Sequence, residues 1–184
     1  MTRQAFDNFI KKTNAKAESA KVDWHERREE WLDYLGEFYD MVDGFISDYV
    51  KSCQMSCIRT KTTLNERNIG SYDVDILSIE ISGITIRLTP VGTILIGGKG
   101  RVDMVGPNGK VKFVLVPEGS TGPRIAIREA ECNNNNDIHD CPETDTEESI
   151  RAWEWRIMTS PPQISYLPLD SDAFYSAMLE VING

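Results

Sequence analysis

Histidine and cysteine are scarce in this chain, with two His and four Cys in 184 residues. A catalytic triad needs an imidazole placed to take a proton from a Ser or Cys, and no Ser or Cys here stands in a nucleophile motif. His25 lies beside Trp24 among charged residues at a helix start, a solvated setting in which no triad can be assembled. Four cysteines are too few for a disulfide framework at this length, and a cytoplasmic setting keeps thiols reduced. Also missing is any apolar run near the ~20 residues that cross a bilayer. The opening residues MTRQAFDNFIKK have neither the apolar centre nor the small-residue cleavage site of a secretory signal. The expectation is a cytoplasmic protein with no membrane role.

Positive charge is sparse as well: 20 Lys and Arg stand against 29 Asp and Glu, a net charge of −9. Nucleic-acid binders draw their affinity mainly from cations on phosphates, so this balance argues against one. The acidity is uneven. Asp137, Asp140, Glu143, Asp145, Glu147 and Glu148 fall in one stretch without Lys or Arg, and taking those six from −9 leaves −3. Residues 131–149 have almost no apolar side chains and hold four consecutive asparagines, the composition of a mobile acidic loop that cannot bury enough surface to order itself. Elsewhere, 40% hydrophobic and 27% charged residues are the proportions of an ordinary globular protein. The length suits one well-buried core, hence a single domain.

The chain is organised around residues 24–50. Trp31, Leu35, Phe38, Val42, Phe45 and Tyr49 recur in steps of four and three, one stripe down a helix, and Leu32, Tyr39 and Ile46 widen it. A face this broad lies on a sheet or core rather than in a two-helix seam. Asp23 with Glu26 is a capping pair for its start, and the helix is expected to end near Cys53 or Gln54. Gly36 and Gly44 inside it each cost about 1 kcal/mol relative to alanine, which points to close approach of another backbone or to local tolerance. Before it, residues 1–22 read as an N-terminal helical arm whose thin apolar side (Phe6, Phe9, Ile10, Ala17) fades after Ile10.

After the helix the period changes to two. Tyr72, Val74 and Ile76 alternate with acids, then Leu77, Ile79 and Ile81 alternate on the opposite parity, which predicts a bulge or bend between Ile76 and Leu77. Ser82-Gly83 turns the chain into Ile84, Ile86 and Leu88, a hairpin. Pro90-Val91-Gly92 is read as a break before a short strand at 93–96. Strands follow at Arg101–Val105 and Lys110–Val116, joined by Gly106-Pro107-Asn108-Gly109, where Asn-Gly is expected to supply positive φ. Ile125 and Ile127, then Trp153, Trp155 and Ile157, then Ile164 and Tyr166 mark further strands, and Asp170 caps a closing helix with Phe174, Ala177, Met178, Val181 and Ile182 on one face. Links this short force antiparallel pairing. The predicted class is α+β: N-terminal helices, one of them long, a central twisted antiparallel sheet of about six strands, and a C-terminal helix, with helices on one sheet face.

Sites are thinner. Cys53 and Cys57 straddle the main helix end, and Cys132, His139 and Cys141 lie in the acidic loop. Thiolate and imidazole can close a zinc site, but these spacings lack the two-residue knuckle of common zinc modules, and unrelated free thiols are the expectation. Gly97-Gly98-Lys99-Gly100-Arg101 is followed by a strand, so it lacks the helix N-terminus that gives a phosphate cradle its force. Gly100-Arg101-Val102-Asp103 before a strand loosely resembles the acid placement of metal-dependent nucleases with a restriction-like core. The next strand carries no acid or following Lys, leaving Asp73, Asp75 and Glu80 as the only acids to complete the set. Trp153 and Trp155 at strand spacing read as core rather than pocket. No catalytic, cofactor or metal set is complete. The functional expectation is therefore a non-enzymatic protein-interaction module using its helical or sheet-edge surface, with self-association as a variant. A metal-dependent hydrolase or nuclease is the alternative.

Overall fold

A computed structural model describes residues 23–93, 98–123 and 152–184. The helical arm at 1–22, the strand around Ile125 and Ile127, the acidic loop at 131–149, and Cys132, His139 and Cys141 lie outside the described residues, as does all but Thr93 of the strand expected at 93–96.

Helix α1, Trp24–Lys51, forms where the stripe predicts it. Asp23 accepts hydrogen bonds from the backbone N–H groups of His25 (2.9 Å) and Glu26 (3.2 Å), and Trp31, Leu35, Phe38, Tyr39, Val42 and Ile46 are buried. It ends two residues short of Cys53, which takes the positive φ (57°) that commonly closes a helix. A Cβ at Gly36 or Gly44 would meet nothing within 4 Å, so these glycines mark open space rather than backbone contact.

Seven strands follow: β1 Ser56–Glu66, β2 Gly70–Ile81, β3 Ile84–Gly92, β4 Gly100–Val105, β5 Lys110–Pro117, β6 Trp153–Met158 and β7 Tyr166–Pro168, then helix α2, Ser171–Asn183. They make one antiparallel sheet in the order β1-β2-β3-β4-β5-β6-β7, each strand beside the next in sequence. The class is α+β as expected, with seven strands among the described residues where about six were expected. The additional strand is β1, whose sequence SCIRTKTTLNE offers too few apolar residues to show an alternation.

Of the bulge or bend expected at Ile76–Leu77, the bulge is absent and the parity change is taken up without an inserted residue. The β1–β2 register runs unbroken from Ser56 opposite Glu80 to Glu66 opposite Gly70. Tyr72 and Val74 are buried on one parity, Leu77 and Ile79 on the other, and β1 switches at the same height, from Cys57 to Thr62, Leu64 and Glu66. Only Leu77–Ile81 of β2 is also paired with β3, so the far half is a two-stranded ribbon, the arrangement that twists most freely. Both strands turn together there, and the Tyr39 hydroxyl donates to the Asp75 carbonyl at the crossover. The real register shift comes between Pro90 and Gly92 against β4. Where a break was expected, β3 continues, with Pro90, which has no N–H to donate, at the bulge.

Ser82 (φ 51°) and Gly83 (φ 85°) form the predicted two-residue hairpin turn. At the β4–β5 turn neither Asn108 nor Gly109 takes positive φ, contrary to expectation. Small size is what matters there, because a Cβ at Gly106 would lie 2.5 Å from the Val181 carbonyl of α2. The Asn108 N–H donates to that same carbonyl at 3.0 Å.

The core is aromatic at its centre. The Phe38 ring lies 4.7 Å from Trp155 and 5.3 Å from Phe113, and Phe113 lies 6.2 Å from Phe174 of α2. Fully burying each such ring contributes roughly 1.5–3 kcal/mol. Among the described residues no helix is long and apolar enough to cross a membrane.

Gly100, the first residue of β4, tests the packing of that strand against α1. Its Cβ would stand 2.0 Å from the Trp31 ring, so Gly100→Ala is expected to destabilise by about 1–3 kcal/mol through overpacking. Gly44→Ala, in open space on α1, should stabilise by about 1 kcal/mol through helix propensity. Urea midpoints of the two variants against wild type measure both.

Candidate functional site

Sequence-derived candidates scatter rather than converge. Asp103, on β4, is 5% exposed; its carboxylate meets the Arg101 guanidinium at 3.0 Å and the Lys110 ammonium at 2.8 Å. Two cations already pair with this carboxylate. Glu80 is exposed near the opposite end of β2 from Asp73, and among the described residues no three His, Cys, Asp or Glu gather as a metal's ligands. Cys53 is exposed, while Cys57 is half-buried; burial, then the nearby Asp43 carboxylate, pushes its thiol up despite the opposing pull of Arg59. His25 is exposed in the first turn of α1.

The tryptophans divide. Trp155 is core, its indole N–H donating to the Tyr34 carbonyl at 3.0 Å. Trp153 is half-buried with the Lys99 ammonium 4.6 Å above its ring. Lys99 also pairs with Glu30 of α1, and Gly100 presses on Trp31, so this glycine-rich stretch holds helix to sheet instead of cradling a phosphate.

Glu66, at the end of β1, was not a candidate, yet its side chain is drawn into the protein and only 8% of the residue is exposed. One carboxylate oxygen accepts from the Tyr72 hydroxyl; the other accepts from the Thr93 N–H and hydroxyl, both at 2.9 Å. The backbone at Gly92 comes so close that a Cβ would lie 2.8 Å from the carboxylate carbon. Burial, then the bond to Glu66, then its negative charge push the Tyr72 hydroxyl pKa up. This arrangement ties the ends of β1, β2 and β3 together. The one available signal was parity, since Thr62, Leu64 and Glu66 share a face.

A groove of about 250 Å³ opens between α1 and the β1–β2 ribbon. Leu32, Leu35, Gly36 and Tyr39 line it from α1, Arg59 and Lys61 from β1, and Asp73, Val74 and Asp75 from β2. Arg59 pairs with Asp43 and stacks 5.2 Å from the Tyr39 ring centre, and the Thr63 hydroxyl donates to Asp73 at 2.8 Å. Burial, then Asp75, push the Tyr39 hydroxyl pKa up against the opposing Arg59 charge. Apolar side chains and a glycine backed by charges of both signs suit binding. The lining supplies no thiol, imidazole or metal set for chemistry. Comparison with protein-family models, with curated proteins and with solved structures finds no match to this chain.

Two outcomes follow from these environments. Glu66→Gln replaces one of two accepting oxygens by a donor that faces donors, and should cost about 1–3 kcal/mol in urea unfolding. Cys57, with its thiol pushed up, holds less thiolate than an unperturbed cysteine at a given pH. Peptide mapping after iodoacetamide treatment at pH 8 should therefore show Cys57 modified several-fold more slowly than Cys53, with Asp43→Asn narrowing the gap.

Proposed function

We propose that this chain is a non-enzymatic protein-interaction module of the cytoplasm whose contact surface is the outer edge of β1. The observation that carries the reading is the position of β1: eleven residues long, at one end of the strand order and, among the described residues, paired only with β2. An edge strand of that length offers a row of backbone N–H and C=O groups to which an extended segment of another protein can add as a further strand. Ile58 on the same strand is 58% exposed.

Of the two surfaces considered from the sequence, we favour the sheet edge over α1, the helical arm at 1–22 lying outside the described residues. The apolar stripe of α1 is buried from Trp31 to Ile46, with Tyr49 exposed at its end, and its other side carries Glu26, Glu29, Asp33, Glu37, Asp40 and Asp48, all exposed. We read both helices as lying over one sheet face, because Phe113 of β5 touches Phe38 of α1 and Phe174 of α2 alike. That arrangement leaves the β1 edge outside the packed layer. The net charge of −9 favours a protein over a nucleic-acid or anionic-membrane partner.

Adjacent residues of an antiparallel strand direct their N–H groups to opposite sides, so Thr60→Pro and Lys61→Pro divide cleanly. One removes a ladder bond to β2 and lowers the melting temperature; the other removes only an outward N–H and leaves it nearly unchanged. Against immobilised octapeptides of alternating apolar and polar residues, wild type should bind and show slowed hydrogen exchange in β1. The stable proline variant should lose at least tenfold in affinity. Absence of β1 protection with every peptide, or undiminished binding by that variant, overturns the reading.

A further inference from the structure

We infer that the side of the sheet bearing Val114 and Val116 is a docking surface, and that its occupant is the chain's own segment 124–131. The inference does not depend on strand addition at β1, which stands at the far end of the strand order. Successive side chains of β5 point to opposite sides. Phe113 and Leu115 join the main core with residues of α1 and α2, whereas Val114 and Val116 form a separate cluster with Tyr166 and Met158, to which neither helix contributes. Both valines nevertheless have no exposed surface. Residues opposite one another in an antiparallel ladder share a side, so Val114 is flanked by Arg101 and Arg156, Lys112 by Asp103 and Met158, and Val116 by Glu154. With Lys110, this side of β4, β5 and β6 holds four cations against two acids. Asp103 is shared by Arg101 and Lys110, and Glu154 takes Arg156; Lys112 forms no ion pair with a described residue. Farther out on the same side, Arg87 of β3 and Glu80 of β2 balance each other. The surface is therefore an apolar cluster beside an excess of positive charge, in a chain whose net charge is −9.

The chain itself leads to this surface. After β5 the Gly119 N–H donates to the Glu154 carboxylate at 2.7 Å, and the Tyr166 N–H donates to the Thr121 carbonyl at 2.9 Å, which carries the described residues past β6 to the edge of β7 and ends them at Pro123. From that edge to β5 is three strand spacings, ~14 Å. Ile127 stands four residues beyond Pro123, or ~13 Å of extended chain. Alternate residues of an extended run share a side: in 124–131 the odd positions are Ile125, Ile127, Glu129 and Glu131, and the even ones are Arg124, Ala126, Arg128 and Ala130. One side of the segment is thus apolar and then acidic, the complement of valines beside lysine and arginine, while both of its own cations fall on the other side. A tether this short holds the segment at an effective concentration on the order of mM, so it takes the surface ahead of a free segment of the same pattern.

Carbodiimide joins a carboxylate to an ammonium group where the two meet as an ion pair, so treating the full chain with it and mapping the linked peptides by mass spectrometry reads the contact directly. Glu129 and Glu131 should link to Lys110 or Lys112 at least tenfold more often than to Lys51 or Lys61, which stand on α1 and β1. Ile125→Ser combined with Ile127→Ser should lower that yield several-fold while the circular dichroism spectrum stays that of wild type; Ile127→Ser alone gives the same reading where the double variant does not fold. In a mixture of isotope-labelled and unlabelled protein the links should join residues of one isotopic composition. Links spread evenly over the lysines, or a yield that the serine variants leave unchanged, overturn the docking surface. Links of mixed isotopic composition place a second copy's segment there and overturn the proposed occupant.

Discussion

Phe38 has no exposed surface, and the rings around it are Tyr39 beside it on α1 and, from distant parts of the chain, Phe113 on β5 and Trp155 on β6. Its contact is the constraint on which the rest depends. A helix that buries six residues along one stripe needs an apolar layer of matching length, and the meander supplies it strand by strand. α2 completes the layer at the other end, where Phe174 meets both Phe45 and Phe113. Polar ties then fix the helices in place. The Trp155 indole donates to the Tyr34 carbonyl, the Tyr175 hydroxyl to the Phe45 carbonyl, and the Tyr39 hydroxyl to the Asp75 carbonyl. In each case the aromatic body is packed while its polar tip finds a backbone acceptor, the usual condition for burying such residues.

Those elements whose residues contribute to this layer were readable from the sequence. The stripe from Trp31 to Ile46, the alternation from Ile84 to Leu88, and the Trp153-Trp155-Ile157 pattern each carry a period that only one local structure satisfies. β1 was not readable because an edge strand is held mainly by its neighbour's backbone and leaves most side chains in water. Thr, Lys, Arg and Asn in such a strand look like a loop. Parity reversal in β2 was seen in the residues, with a bulge or a bend as its expected cause: a flat, fully paired strand calls for the bulge, whereas a two-stranded ribbon absorbs the reversal by turning.

The groove and the buried carboxylate show the same limit from the side of function. Leu32, Gly36 and Asp75 stood out for other reasons and Arg59 not at all, and nothing in their spacing brings them to one place. What joins them is the turn of the ribbon beside α1, a tertiary event. Asp103, by contrast, stood out in the sequence because of its position after a glycine and a basic residue, and that basic residue, Arg101, proves to be one of the two cations that neutralise it.

The two borders of the sheet are unequal. β7 has three residues and ends in Pro168, which has no N–H to offer, while β1 runs for eleven. Under the proposed strand addition this asymmetry directs growth to one border among the described residues: a segment pairing with β1 adds there, and Pro168 withholds an N–H from any segment approaching β7.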